Sequence, residues 1–101
     1  MGQSFVDSAG VQGYSGTALP PAPAKTGVFG YANQDATAVG VKGQSPKGRG
    51  GVFSGGKAQL RLAPSSANTH PTSGAKGDLF VDNSGRLWFY NGAVWKRVAL
   101  V

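Results

Sequence analysis

The closing stretch of the chain, residues 77–101 (GDLFVDNSGRLWFYNGAVWKRVALV), leaves the fewest choices about how it can fold. Half of the aromatic residues fall here, Phe80, Trp88, Phe89, Tyr90 and Trp95, including both tryptophans. Two turn-forming runs, Asp82-Asn83-Ser84-Gly85 and Asn91-Gly92, divide it into three short apolar segments. Asn and Asp tolerate left-handed backbone and Gly supplies positive φ, so both runs read as reversals. The expectation is an antiparallel β-meander with strands near 79–81, 86–90 and 93–99.

Reading Asn91-Gly92 as a two-residue type I′ hairpin sets Trp88 opposite Trp95, Phe89 opposite Val94 and Tyr90 opposite Ala93. Reading 82–85 as a four-residue loop sets Phe80 opposite Leu87 and Leu79 opposite Trp88. Opposed residues share a face and neighbours alternate. One face then carries Leu79, Val81, Trp88, Tyr90 and Trp95, and the other Phe80, Leu87, Phe89, Val94 and Val98. Both are apolar, whereas a free small sheet keeps one face wet. A meander this small cannot cover both faces, so a partner is expected, most simply further copies of the same chain.

Upstream, a short motif recurs. Gly10-Val11-Gln12-Gly13-Tyr14-Ser15 is echoed by Gly27-Val28-Phe29-Gly30-Tyr31-Ala32, by Gly40-Val41-Lys42-Gly43-Gln44-Ser45 and, more weakly, by Gly51-Val52-Phe53-Ser54-Gly55. Repeats of this kind stack because one unit cannot bury its own apolar face. Glycine permits tight bends and close backbone approach. One valine per unit is too little for a monomeric core, whereas three copies around an axis would give a valine layer at each level. Val11, Val28, Val41 and Val52, with Leu60, Leu62, Phe80, Leu87, Phe89 and Val94, are the expected core of such a trimer.

Composition agrees. The hydrophobic fraction is 40%, but much of it is alanine, with no isoleucine; Gly is 17 and charged residues are 14%. So little large apolar surface hardly offsets chain entropy in a monomer, and the low charge argues against ordinary disorder. The net charge of +6 is spread without blocks. It serves solubility and attracts polyanions at low salt.

Residues 1–9 read as an anchoring arm with Phe5 and Val6 as its apolar side chains. Residues 10–64 read as the repeat shaft, interrupted at 19–23 by Leu-Pro-Pro-Ala-Pro, an extended polyproline II spacer rather than an SH3-type ligand. Ser45-Pro46-Lys47-Gly48-Arg49-Gly50-Gly51 is a basic loop whose single Arg-Gly-Gly is a weak RNA-binding signal. Residues 57–64 alternate polar and apolar, the period of a half-buried strand. Residues 65–76 read as a polar linker or surface loop leading to the meander. No window has helical apolar spacing free of Gly or Pro, so the class is all-β. No secretory signal, myristoylation pattern or membrane-spanning run of about 18 apolar residues is visible.

Catalytic chemistry is not expected. There is no Cys and no Glu, and the one histidine, His70, reads as a solvent-exposed loop residue. Asp78 and Asp82 flank a strand and read as turn and strand-end residues rather than a glycosidase pair. Asp82-Asn83-Ser84-Gly85 lacks the length and terminal Glu of a calcium loop. No phosphate-cradling Gly-Lys-Ser/Thr run occurs. No cofactor or metal is expected.

The Gly-Val-x-Gly repeats resemble those of trimeric fibrous proteins, particularly bacteriophage tail fibres and related actinobacterial fibre-like proteins. The segment G-D-L-F-V-D-x-x-G-R-L-W-F-Y-N-G-x-x-W, from Gly77 to Trp95, looks like a short terminal module of such fibres. Residues 60–64 followed by His70-Pro71-Thr72 look like its lead-in. The resemblance covers roughly residues 10–100. It implies an intertwined homotrimeric β-helix or β-prism-like fibre with a meander knob, a virion location, attachment to other particle proteins through the N-terminal arm, and a structural or host-attachment role. With four irregular repeats, a short fibre, tip or decoration is implied rather than a long shaft. A second reading is a carbohydrate- or surface-binding module in which Trp88, Tyr90, Trp95 and Arg86 contact a bacterial surface glycan. A third, less expected, is a basic nucleic-acid-binding protein.

Overall fold

The computed structural model describes residues 10–101, and the anchoring-arm reading of 1–9 lies outside the described residues. These residues are all-β. They contain no helix, and so no helix long and apolar enough to cross a membrane. The chain divides into two units, Met1–Val52 and Phe53–Val101.

In the first unit, β1 (Val11–Ser15) and β2 (Val28–Ala32) form a two-stranded parallel sheet. The ladder sets Val11 against Val28, Gly13 against Gly30 and Tyr14 against Tyr31. The repeat alignment read from the sequence is therefore the physical register. Parallel strands need a long return, supplied here by the proline-containing segment 16–27. Asn33 ties the return to β2: its Oδ1 accepts from Thr17 N at 3.1 Å and its Nδ2 donates to Thr17 O.

The repeat glycines are used for close approach and not for left-handed backbone. None of Gly10, Gly13, Gly27, Gly30, Gly40 and Gly43 has positive φ. Instead, a Cβ on Gly30 would overlap the Gly40 carbonyl oxygen and lie 2.7 Å from Val41 Cγ2, and one on Gly43 would overlap the Gly50 carbonyl oxygen. Successive repeats thus meet backbone to backbone. The third and fourth repeats form no strand, and Val41 and Val52 are exposed.

In the second unit, β3 (Leu79–Val81), β4 (Leu87–Tyr90) and β5 (Trp95–Arg97) form the antiparallel meander in the order β3-β4-β5. The strand expected across 57–64 does not form, and Leu60 and Leu62 are exposed. An alternating segment becomes a strand only where a neighbour takes its backbone groups, and among the described residues none does.

The register of the meander differs from the expected one. Phe80 lies opposite Trp88, Leu79 opposite Phe89 and Val81 opposite Leu87. The first loop is one residue tighter than expected: Asp82 N donates to Arg86 O at 3.1 Å and Gly85 N to Asp82 O at 3.0 Å, with Gly85 at φ +81°. Asn83-Ser84-Gly85 is thus a three-residue loop with its glycine in the left-handed position. A one-residue slip exchanges faces, so Phe80 joins the tryptophans while Leu79 and Val81 join Leu87 and Phe89.

The second hairpin slips by two residues, which preserves the faces. Tyr90 pairs with Trp95 and Trp88 with Arg97, not Trp88 with Trp95. Asn91 N donates to Val94 O at 3.1 Å, leaving Gly92-Ala93 at the tip with Gly92 at φ +98°. Asn91 itself has no positive φ, so the tip is not the expected type I′ Asn-Gly turn. Glycine leads it, as in type II′ turns. Asn91 contributes its side chain, Oδ1 accepting from Ala93 N and Val94 N, both at 2.9 Å.

Two outcomes follow. Gly30→Ala should destabilise the first unit by about 1–3 kcal/mol through overpacking against backbone, whereas Gly27→Ala, with open space around its Cβ, should be near neutral; urea titration compares them. At the hairpin tip, Gly92→Val should cost about 1–3 kcal/mol of backbone strain. Asn91→Ala should cost ~1 kcal/mol for its lost capping bonds. Thermal melts that rank Asn91 above Gly92 would contradict this turn.

Candidate functional site

One side chain among the described residues is fully buried, the carboxylate of Asp82. It stands where β3 turns into the first loop. Oδ1 accepts from Ser84 N at 2.9 Å and Arg86 N at 3.1 Å. Oδ2 accepts from Arg86 Nε at 2.7 Å and Trp88 Nε1 at 3.0 Å. Four donors meet the lone-pair positions of an ionised carboxylate. Burial acts to raise the carboxyl pKa, but the bonds from the Trp88 indole, the Arg86 backbone and guanidinium and the Ser84 backbone outweigh it and hold it well below the ordinary 3.8. With its oxygens taken by N–H groups, Asp82 has no lone pair for a calcium ion and none for acid–base work.

Arg86 extends this network. Its Nη2 donates to Asn68 O at 2.6 Å, and its Cζ lies 5.7 Å from the centre of the Trp88 ring, within cation–π range. Asn83 Nδ2 reaches Asn68 Oδ1 at 3.0 Å, Asn83 N donates to Ala67 O at 2.9 Å, and Ser65 N donates to Val81 O at 2.9 Å. Segment 65–76, read from the sequence as a linker or surface loop, is fastened along the meander.

That segment covers the aromatic face. Phe80, Trp88, Tyr90 and Trp95 are each half-buried. His70 is half-buried too, a correction to the exposed loop residue expected. Its ring meets Trp88 edge-on at 4.6 Å and stacks on Trp95 at 5.6 Å. Trp95 also meets Tyr90 at 5.2 Å and Phe80 at 6.2 Å. Gly74 sits so close that a Cβ there would lie 2.8 Å from Trp95 Cζ2 and 3.0 Å from Tyr90 Cδ1. The opposite face, with Leu79, Phe89 and Val94, is open to solvent within one chain.

The residues singled out from the sequence thus divide. Trp88, Tyr90, Trp95 and Arg86 come together on the covered face, joined by Phe80. Leu87, Phe89 and Val94 share the open face. Val11, Val28, Val41 and Val39 line a shallow groove of about 290 Å³ in the first unit. Val52, Leu60 and Leu62 are exposed. Asp78 caps the start of the meander, Oδ2 accepting from Ala75 N at 2.9 Å. Sequence reasoning missed Asp82 as a hub because it passes for a turn former, and missed His70 and Gly74 because contacts onto aromatic rings leave no periodic trace. It also missed Arg97, although Arg97 follows Trp95 by two and so shares its face.

Among the described residues no group of three or more His, Cys, Asp or Glu is placed to hold a metal. No family model matches this chain. No curated protein sequence shows significant similarity to it, and no solved structure does either.

Acid should loosen the meander. Asp82 has a lowered folded pKa, so its contribution is fully present above the ordinary value near 3.8 and is lost as pH falls through the folded value. Both tryptophans lie in this unit, so their fluorescence reads it selectively. Asp82→Asn presents an NH2 to donors. It should melt lower at pH 7 and show a shallower loss of stability below about pH 4; an unchanged acid slope would show that the network does not control this unit.

Proposed function

We propose that the chain is the subunit of a homotrimeric, intertwined β-helix or β-prism-like fibre, with the meander as a terminal knob. We further propose that it serves as a fibre, spike or decoration protein of a phage or phage-like particle and takes part in attachment to a host surface. The observation that carries the assembly is the absence of a buried hydrophobic side chain among the described residues. Two sheets have formed, yet Val28, Val41, Val52, Phe53, Leu60, Leu79 and Leu100 are exposed. A two-stranded parallel sheet is stable only when covered on its faces, and the meander retains one open apolar face. Other copies of the chain supply both covers with the same residues.

The particle and attachment roles rest on the resemblance of the Gly-Val-x-Gly repeats and the 77–95 segment to tail-fibre sequences. The N-terminal arm is the proposed contact with other particle proteins, the virion the proposed location, and no enzymatic activity is part of the reading. A sugar-binding platform made of Trp88, Tyr90 and Trp95 finds less support, because His70 and Gly74 pack over those rings. Nucleic-acid binding rests on net charge and the single Arg-Gly-Gly run at 49–51.

Multi-angle light scattering at micromolar concentration should give three times the chain mass, and a folded monomer would overturn the assembly. Val41→Asp should leave a single chain little affected, since Val41 is 73% exposed within it. In the trimer it would place unpaired charges in a desolvated layer, costing several kcal/mol. The variant should therefore dissociate or melt markedly lower.

A further inference from the structure

We infer that the cavity at the loop end of the meander, between Arg86 and Arg97, binds the carboxylate of an acidic sugar. This names a ligand class for the attachment role proposed above and rests on it. The cavity holds about 510 Å³ and is bounded by Ser84, Arg86, Leu87, Arg97, Val98 and Leu100. That volume lies within the range of small-ligand sites, about 300–1,000 Å³.

Charge gives an independent argument. Arg97 is opposite Trp88, and Arg86 precedes Trp88 by two on the same face. The two arginines are therefore diagonal neighbours, with backbone positions about 7–8 Å apart. Like charges so placed repel. The nearby acid, Asp82, is already saturated by Arg86, Trp88 and Ser84. Arg97 is exposed and makes no ion pair or side-chain hydrogen bond with the described residues. Arg86 is held in place through Nε on Asp82 and Nη2 on Asn68, which leaves Nη1 without a hydrogen-bond partner among the described residues.

The chemistry of the walls selects among anions. Two guanidinium forks suit a planar carboxylate, which each can grip through paired N–H groups. Leu100 offers an apolar contact for the C–H face of a sugar ring, and the Ser84 hydroxyl a partner for a ring hydroxyl. A nucleic acid would need a basic track along successive phosphates, and the cavity offers two cations at one spot.

Isothermal titration calorimetry at low salt tests the site with an oligogalacturonate, a neutral gluco-oligosaccharide and a single-stranded oligonucleotide. The oligogalacturonate should bind and the neutral sugar should not. Arg97→Gln should weaken binding about tenfold or more, the size of one lost charge-assisted hydrogen bond. Arg97→Lys, which keeps the charge and loses the fork, should weaken it several-fold. Lys96→Gln, the same charge change on the opposite face, should leave it within about twofold, the scale of a rim charge. Equal losses in Lys96→Gln and Arg97→Gln, or tighter binding of the oligonucleotide than of the uronic-acid probe, would overturn the site. Light scattering on the same samples separates the two readings: a monomer that binds removes the fibre and keeps the site, and a trimer that does not bind removes the site alone.

Discussion

Asp82 accepts hydrogen bonds from Ser84, Arg86 and Trp88, and through Arg86 it is linked to Asn68 in the segment that crosses the sheet. Each bond fixes something different. The backbone donors close the first loop at three residues. The indole bond orients Trp88, and with it the ring that His70 packs against. The guanidinium bond anchors segment 65–76. A small sheet with half-buried aromatics has little else to specify its register, and here an ionised group with fully matched donors does so. Buried polar networks are useful to a fold when every member is satisfied, and the carboxylate meets that condition.

The first unit solves its problem differently. Its described residues hold no such hub; they bring backbones together at glycines and leave the valines outward. Glycine contacts hold adjacent repeats close, but they bury no hydrophobic side chain. The order seen within one chain is therefore an arrangement of surfaces more than a core. In the proposed trimer those surfaces become the interior, and the exposed valines are the part of the structure that a single chain leaves unfinished.

Much of this was legible in the sequence. The all-β class, the three meander strands and the equivalence of the first two repeats follow from alternation, turn residues and self-similarity, and the alignment of Val11 with Val28 and Tyr14 with Tyr31 is the ladder itself. The registers of the hairpins were not legible. Asn-Gly and Asp-Asn-Ser-Gly each admit several loop closures of similar local energy, and side-chain acceptors on Asn91 and Asp82 decide between them. The slip by one residue moved Phe80 to the other face, while the slip by two moved nothing across. At the proposed sugar site, Arg86 was singled out and Arg97 was missed, although even the expected register, with Trp88 opposite Trp95, sets the two arginines on one face; the observed register makes them diagonal instead of directly opposed. The strand anticipated near Leu60 has the right alternation and lacks a neighbour, which no local pattern can provide.

The parallel ladder has one further property. Valine stands beside valine, glycine beside glycine and tyrosine beside tyrosine. Such a ladder carries no mark of which molecule a strand came from, because the β2 of another copy offers β1 the same groups in the same order. Exchange of strands between molecules is then nearly neutral in contact energy. In the proposed trimer, the path of segment 16–27, held at Asn33 and stiffened by its prolines, would decide whether β1 closes on its own chain or on a neighbour's.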